Sequence, residues 1–225
     1  MIFFTCVNKE YKSLVPLYEY CIKRVYPKAV VVAENIRYNP ACHRFLMCPG
    51  NDYVHITDVD ILILPHEKTH EEYYGQFAFN GASYVRGATE ASGRPWIGND
   101  SRIAGGHVGL WPEWYKNTAE QREKFLCGNI ESYREFDEVM LARIMRNTGY
   151  PIPTEPYTFF DGTKWDPEYR DLHLGDFQSN KFMKWKPDKK KMRELFEEPE
   201  FIRLSVNIDS FFRTMIKIAT EYAYS

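Results

Sequence analysis

Apolar runs and helical stripes alternate through the first third of the chain. Ile2–Val7 (IFFTCV) is short and almost wholly apolar, and predicts an opening strand. Leu14, Leu17, Tyr18, Cys21 and Val25 then recur at helical spacing, with Ser13 as N-cap, Pro16 in the first turn and Pro27 as the stop. Ala29–Ala33 (AVVVA) predicts a second buried strand, which completes a βαβ unit. The stretch Tyr53–Pro65 (YVHITDVDILILP) carries most information. As one strand, its side chains alternate between two faces. Val54, Ile56, Asp58, Asp60, Leu62 and Leu64 share one face; Tyr53, His55, Thr57, Val59, Ile61 and Ile63 share the other. Both faces are mostly apolar, as in a central strand covered by helices on both sides.

The later pattern is less regular. Asn35–Asp52 reads as a loop or short helix, and Gly75–Asp100 as a long irregular segment of the kind that carries function. Ile103–Trp111 (IAGGHVGLW) has glycine at a density that marks close backbone approach, to a ligand or to a neighbouring element. Asn129–Asn147 is the clearest helix, with Tyr133, Phe136, Met140, Leu141, Ile144 and Met145 as its stripe and Gly149 and Pro151 beyond its end. Tyr150–Trp185 lacks periodicity but contains Leu172-His173-Leu174-Gly175-Asp176. From Leu204, the set Leu204, Ile208, Phe211, Met215, Ile218 and Tyr222 predicts one C-terminal amphipathic helix. It packs on the sheet in this reading, with a homodimer interface as the alternative.

Composition narrows the classes. With 225 residues and an apolar fraction of 44%, a sizeable core can form. A net charge of −2 argues against a general nucleic-acid binder. No run approaches the ~20 apolar residues that a transmembrane helix needs. Five cysteines in no framework spacing point to a reducing compartment, hence the cytoplasm. Aromatic residues, 16% of the chain, suit a surface that stacks on rings or sugar faces.

Three features carry candidate chemistry. Asp58 and Asp60 on a strand face are costly to bury without a cation, and a divalent metal takes carboxylate oxygen. A break in the strand, with the pair in a turn, is the alternative. His66-Glu67-Lys68-Thr69-His70 matches H-E-x-x-H, the pattern of zinc peptidases. Its polar intervening positions, and Pro65 and Gly75 around it, favour a solvated charged helix instead. Asp137 lies on or beside an apolar stripe with Glu138 next to it, so it is edge-solvated or part of a site. Cys42, His43 and Cys48 do not complete a zinc set.

In order, FFTCVNKEY, the DVD strand, NDSRIAGGHVGLW, REFDEVMLARIM, HLG and KWKP resemble the motifs of retaining GT-A nucleotide-sugar glycosyltransferases. The compact size is similar to glycosyltransferase domains that large algal viruses use to decorate capsid protein. The resemblance covers about Met1–Pro187 and implies an α/β fold: a mixed, mostly parallel Rossmann-like sheet flanked by helices in a single domain. That domain spans 1–190, and residues 191–225 form a helical segment packed on it. Thr5, Val7 and Tyr11 would line the nucleotide pocket. Asp58 and Asp60 would hold Mn2+ or Mg2+ with His173 as third ligand, Asp58 also contacting the nucleotide. The KFMKWKP ending departs from the family's KPW, which bears on phosphate roles for Lys184 and Lys186.

The implied activity is transfer of a sugar from a UDP-sugar to a glycan or glycoprotein acceptor. Asp137 and Glu138 are then the candidate catalytic acids. His107 and Trp111 are candidate sugar contacts, and Arg86 or Arg102 a diphosphate contact, with Arg44 and Arg94 as alternatives. The rival expectations are a zinc peptidase on His66, Glu67 and His70, and a non-catalytic module that binds sugar nucleotides or glycans.

Overall fold

The computed structural model describes residues 1–37, 39–75, 106–127, 137–150, 158–159, 163–177 and 187–225. All six residues of β1 (Ile2–Val7) are buried, because this strand has a partner on each edge and helices on each face. A single 3-10 turn at Lys12–Leu14 leads into α1 (Val15–Val25), whose Leu17, Tyr18, Cys21 and Ile22 are buried. Ser13 does not cap the helix; Leu14 holds that position, and the Ser13 hydroxyl accepts the backbone N–H of Asp209.

β2 (Val30–Asn35) pairs with β1 in parallel, and β3 (Val54–Thr57) pairs with β1 in parallel on its other edge. β5 (His107–Leu110) runs antiparallel to β3, giving the order β2-β1-β3-β5. The sheet is therefore mixed and mostly parallel within an α/β fold, as expected. β2 is an edge strand, and Val30 is 54% exposed, so AVVVA is not the buried strand its sequence suggests.

Alternation along β1 divides the interior. Ile2, Phe4 and Cys6, with Val54 and Ile56, face α2 (Pro40–Leu46), Trp114 of α4 (Pro112–Asn117) and α6 (Asp137–Asn147). Phe3 and Val7 face α1, α7 (Lys189–Phe196), α8 (Pro199–Ser205) and α9 (Ser210–Tyr224). α5 (Ala119–Leu126) lies beside α4 and α6. No helix among the described residues is long and apolar enough to cross a membrane.

Tyr53–Pro65 is not one strand. β3 ends at Thr57, and Asp58–Asp60 form a turn closed by the Ile61 N–H on the Asp58 carbonyl at 3.1 Å. The chain resumes as β4 (Ile61–Leu62) in a separate two-stranded sheet, antiparallel to β6 (Leu172–His173). Beyond the turn, Ile61, Leu62, Ile63 and Leu64 all enter the α1-side core, so the alternation stops at Asp58. Two carboxylates cannot share a dry strand face; leaving the strand brings them to cationic partners.

The predicted C-terminal helix is also two. The Asp209 side chain accepts the Phe211 N–H and starts α9 afresh, which resets the helical phase. Phe212, Met215, Ile216, Ala219 and Ala223 are buried, whereas Phe211 and Ile218 are 45% and 40% exposed. α9 packs on α7 and on the 3-10 turn Leu174–Phe177. Close backbone approach does occur in the glycine-rich segment. A Cβ on Gly109 would lie 2.1 Å from both the Gly75 carbonyl oxygen and the Tyr53 hydroxyl.

Candidate metal centre

Strand order places the acid pair. The chain leaves β1 towards β2 on one side and returns to its other side as β3, so the order reverses between β1 and β3. Crevices at such reversals, beyond the carboxyl ends of parallel strands, are where open α/β sheets bind ligands. Asp58 is the first residue after β3.

β6 completes the group. Ile61 pairs with His173, and the Leu174 N–H donates to the Asp60 carbonyl at 2.8 Å. This register brings one ligand atom each from Asp58, Asp60 and His173 within 4.8 Å of one another. His173 Nε2 lies 3.4 Å from Asp60 Oδ2, and its Nδ1 lies 3.4 Å from Asp176 Oδ1. Burial opposes a charge on His173, but Asp176 and Asp60 outweigh it and push the imidazole up to about 10. Gly175 keeps the spot open, since a Cβ there would lie 2.8 Å from His173 Nε2 and 3.1 Å from Asp60 Oδ2.

Arg44, on α2 and buried, holds Asp58 through Nη1 and Asp137 through Nη2, the latter at 2.7 Å. The Arg44 contact uses Asp58 Oδ1, which leaves Oδ2 towards Gly106. Withdrawal from water raises the Asp58 pKa against the pull of Arg44, and the neighbouring Asp60 charge raises it further. Tyr11, 36% exposed, senses the same pair: burial, then Asp60 and Asp58, raise its phenol. Two hard carboxylates, one imidazole and open space beside them suit a divalent cation with a retained phosphate.

Of the predicted residues, the structure thus assembles Asp58, Asp60 and His173, with Asp137 joined to Asp58 through Arg44. Glu138 follows on α6 and is half-buried. Thr5 is buried with no hydrogen-bond partner for its hydroxyl, and Val7 is buried in the core. Trp111 is separated from the pair. It stacks edge-on to Tyr53 at 4.9 Å, and Tyr53 is about 16 Å along an extended chain from Asp58. The cause is register: antiparallel pairing puts Leu110 opposite Val54 and only His107 opposite Thr57. Arg86, Arg94, Arg102, Lys184 and Lys186 lie outside the described residues. Arg44, first an alternative phosphate contact, is occupied by two carboxylates.

His107 turns instead into a buried cluster that sequence reasoning missed. Asp171, one residue before β6, is fully enclosed. It accepts the Leu64 N–H at 2.7 Å and faces His66 Nε2 at 3.1 Å, His70 Nε2 at 2.7 Å and His107 Nε2 at 3.5 Å. His55 Nε2 meets His107 Nδ1 at 3.1 Å. Burial raises the Asp171 pKa, but His70 and the bonds from His66 and His70 prevail and hold it well below the carboxylate range. Burial drives His107 down to about 3 and His55 well below its ordinary value.

The expected solvated helix at H-E-x-x-H is therefore corrected. α3 (His70–Tyr74) starts only at the second histidine, capped by Thr69 and Glu72, and both histidine side chains are buried. Glu67 is exposed and precedes the helix, so the motif does not occupy one helix face. The missed partner, Asp171, is about a hundred residues away and has no local signature.

No protein-family model matches the chain, and no curated protein matches it. A solved structure of the galactosyltransferase LgtC, in complex with donor and acceptor sugar analogs, is similar over 63% of this chain and 69% of that one. The identity is 8% and the TM-score 0.36.

Proposed function

We propose that the chain is a metal-dependent glycosyltransferase, moving a sugar from a nucleoside-diphosphate sugar to a glycan or glycoprotein acceptor. The carrying observation is the convergence of Asp58, Asp60 and His173 at the strand reversal. UDP as the nucleotide, and retention at the anomeric carbon, come from the resemblance of the sequence motifs. Its five free thiols suit a reducing compartment, and we place the enzyme in the cytoplasm.

Asp58 Oδ2, Asp60 and His173 would hold Mn2+ or Mg2+, which supplies Lewis-acid stabilisation of a departing diphosphate. Arg44 fixes the Asp58 carboxylate from behind and keeps Asp137 in reach of the same space. Asp137, with Glu138, would face the positive charge that develops at the anomeric carbon or accept the acceptor's proton. Tyr11, beside the acid pair, would contact the nucleotide.

Calorimetry with UDP and Mn2+, then with chelator, tests the reading. The expected result is nucleotide binding that disappears with the metal. Absence of metal-dependent binding overturns it. Binding without release of UDP to any acceptor would leave a sugar-nucleotide binding module in its place.

A further inference from the structure

The cluster at Asp171 gathers imidazole rings around one enclosed carboxylate. Three of the chain's six histidines, His66, His70 and His107, face one carboxylate from separate segments, and His55 of β3 joins them through His107. Without a metal, the Nε2 atoms of His66, His70 and His107 carry protons towards Asp171. Tyr26 Oη donates to His70 Nδ1 at 2.6 Å, and Lys191 Nζ donates to His66 Nδ1 at 3.2 Å, which fits that tautomer. His55 then donates to His107, leaving His55 Nδ1 buried without a partner. The arrangement works, but it orders three rings around one carboxylate and strands a lone pair on the fourth.

We propose that His66, His70 and Asp171 form a second metal site, a structural one for zinc or a similar first-row cation. One ligand atom from each lies within 4.8 Å of the others. Tetrahedral zinc with bonds of about 2.0–2.2 Å needs ligands about 3.3–3.5 Å apart. His66 Nε2 lies 3.1 Å from Asp171 Oδ1, and His70 Nε2 and His107 Nε2 lie 2.7 and 3.5 Å from Oδ2, so a bound ion would require the His66 and His70 rings to draw back from their hydrogen bonds by a few tenths of an ångström. Imidazole with carboxylate is a donor set that selects zinc over the magnesium or manganese suited to an oxygen-rich centre.

The outer partners also fit. With Nε2 on the metal, His70 Nδ1–H donates to Tyr26 Oη, the kind of bond that fixes a ligating ring. His107, on the Oδ2 side of Asp171, or a water completes the coordination. Lys191 is the one misfit, because an ammonium cannot accept from His66; its flexible stem must swing aside. Cavities of about 490 and 510 Å3 border His66, the outermost of the three residues. Glu67 is exposed, outside any coordination shell, so the site is structural and not a peptidase centre. Its effect would be to pin the turn before α3 to the residue that precedes β6.

The test uses the full chain carrying Asp58→Asn and Asp60→Asn, which disables the first centre. Its outcome is therefore independent of the proposed glycosyl transfer. After dialysis against chelator, zinc is added and metal content is measured by mass spectrometry. We expect one zinc per chain, an intense tetrahedral visible spectrum when Co2+ replaces it, and a Tm raised by about 5 °C or more at saturation. His66→Gln, at the cavity rim, should weaken binding by more than about 100-fold. His70→Gln should do the same, and Asp171→Asn is not needed if it fails to fold. No retained zinc, or zinc binding by both glutamine variants as tight as that of the parent chain, overturns the site. So does nitrogen NMR showing Nε2–H on His66 and His70 at saturating zinc.

Discussion

The centre at Asp60 and the cluster at Asp171 use the same two residue types, one strand repeat apart, in opposite proportions. At the first, Asp58, Asp60 and Asp176 surround one imidazole, which is raised to about 10 and is charged at neutral pH. At the second, three imidazoles face one carboxylate, and His107 is lowered to about 3. Solvent differs in parallel. The side chains of Asp58 and His173 are 36% and 32% exposed, against 3%, 1% and 0% for His66, His70 and Asp171. Stoichiometry and water access, more than residue identity, decide what an aspartate–histidine contact does. The open, carboxylate-rich group is suited to exchange a ligand; the closed, imidazole-rich one is suited to hold structure.

The sharpest way to break this contrast is to remove one carboxylate from each. Asp60→Asn should lower metal-dependent UDP turnover by about 1,000-fold with an unchanged Tm. Asp171→Asn should instead cost roughly 3 kcal/mol of stability, or about 6–12 °C in Tm, by leaving buried partners uncompensated. Calorimetric melts beside a UDP-release assay would show both, and equal effects on the same readout would erase the distinction. Gly109→Ala belongs with the second region, since Gly109 pairs with His55. Its Cβ meets a backbone oxygen and a buried phenol, so a loss of about 2–3 kcal/mol is expected in denaturant titration.

Gly175→Ala probes the first region more gently. The intruding methyl meets the tip of the His173 ring, which can rotate away, so stability should change by less than about 1 kcal/mol. The displaced ligand should weaken Mn2+-dependent UDP binding by about tenfold, read by calorimetry. Smallest of all is Lys191→Ala. It removes the donor on His66 Nδ1, and zinc affinity should rise a few-fold with Tm nearly constant. A fall in zinc affinity would mean that Lys191 supports the cluster.

Local pattern made much of this legible. Ile2–Val7, α1 and the end of α6 carry their own periodicity and stops, and they form where the sequence places them. The Asp-x-Asp pair in an apolar run demands a positive partner, and Arg44 and His173 stand beside it. The break at Asp58, one of the two readings the sequence leaves open, has no glycine or proline to decide it, and the Arg44 that receives the carboxylate comes from another helix. The restart in the last helices does carry a local signal: Asp209-Ser210 is a capping pair, and a cap restarts the count. The histidine cluster was illegible for a different reason. His66 and His70 looked solvated beside Glu67, Lys68, Glu71 and Glu72, and only a distant carboxylate turns them inward.

Leu172 has a consequence for how this chain can change. It is a wholly buried side chain flanked by the two polar residues that anchor the neighbouring groups. Adding or deleting one residue there would exchange inside for outside and dismantle both groups together. The tripeptide Asp171-Leu172-His173 is thus a ruler that tolerates substitution far more readily than any change in its length.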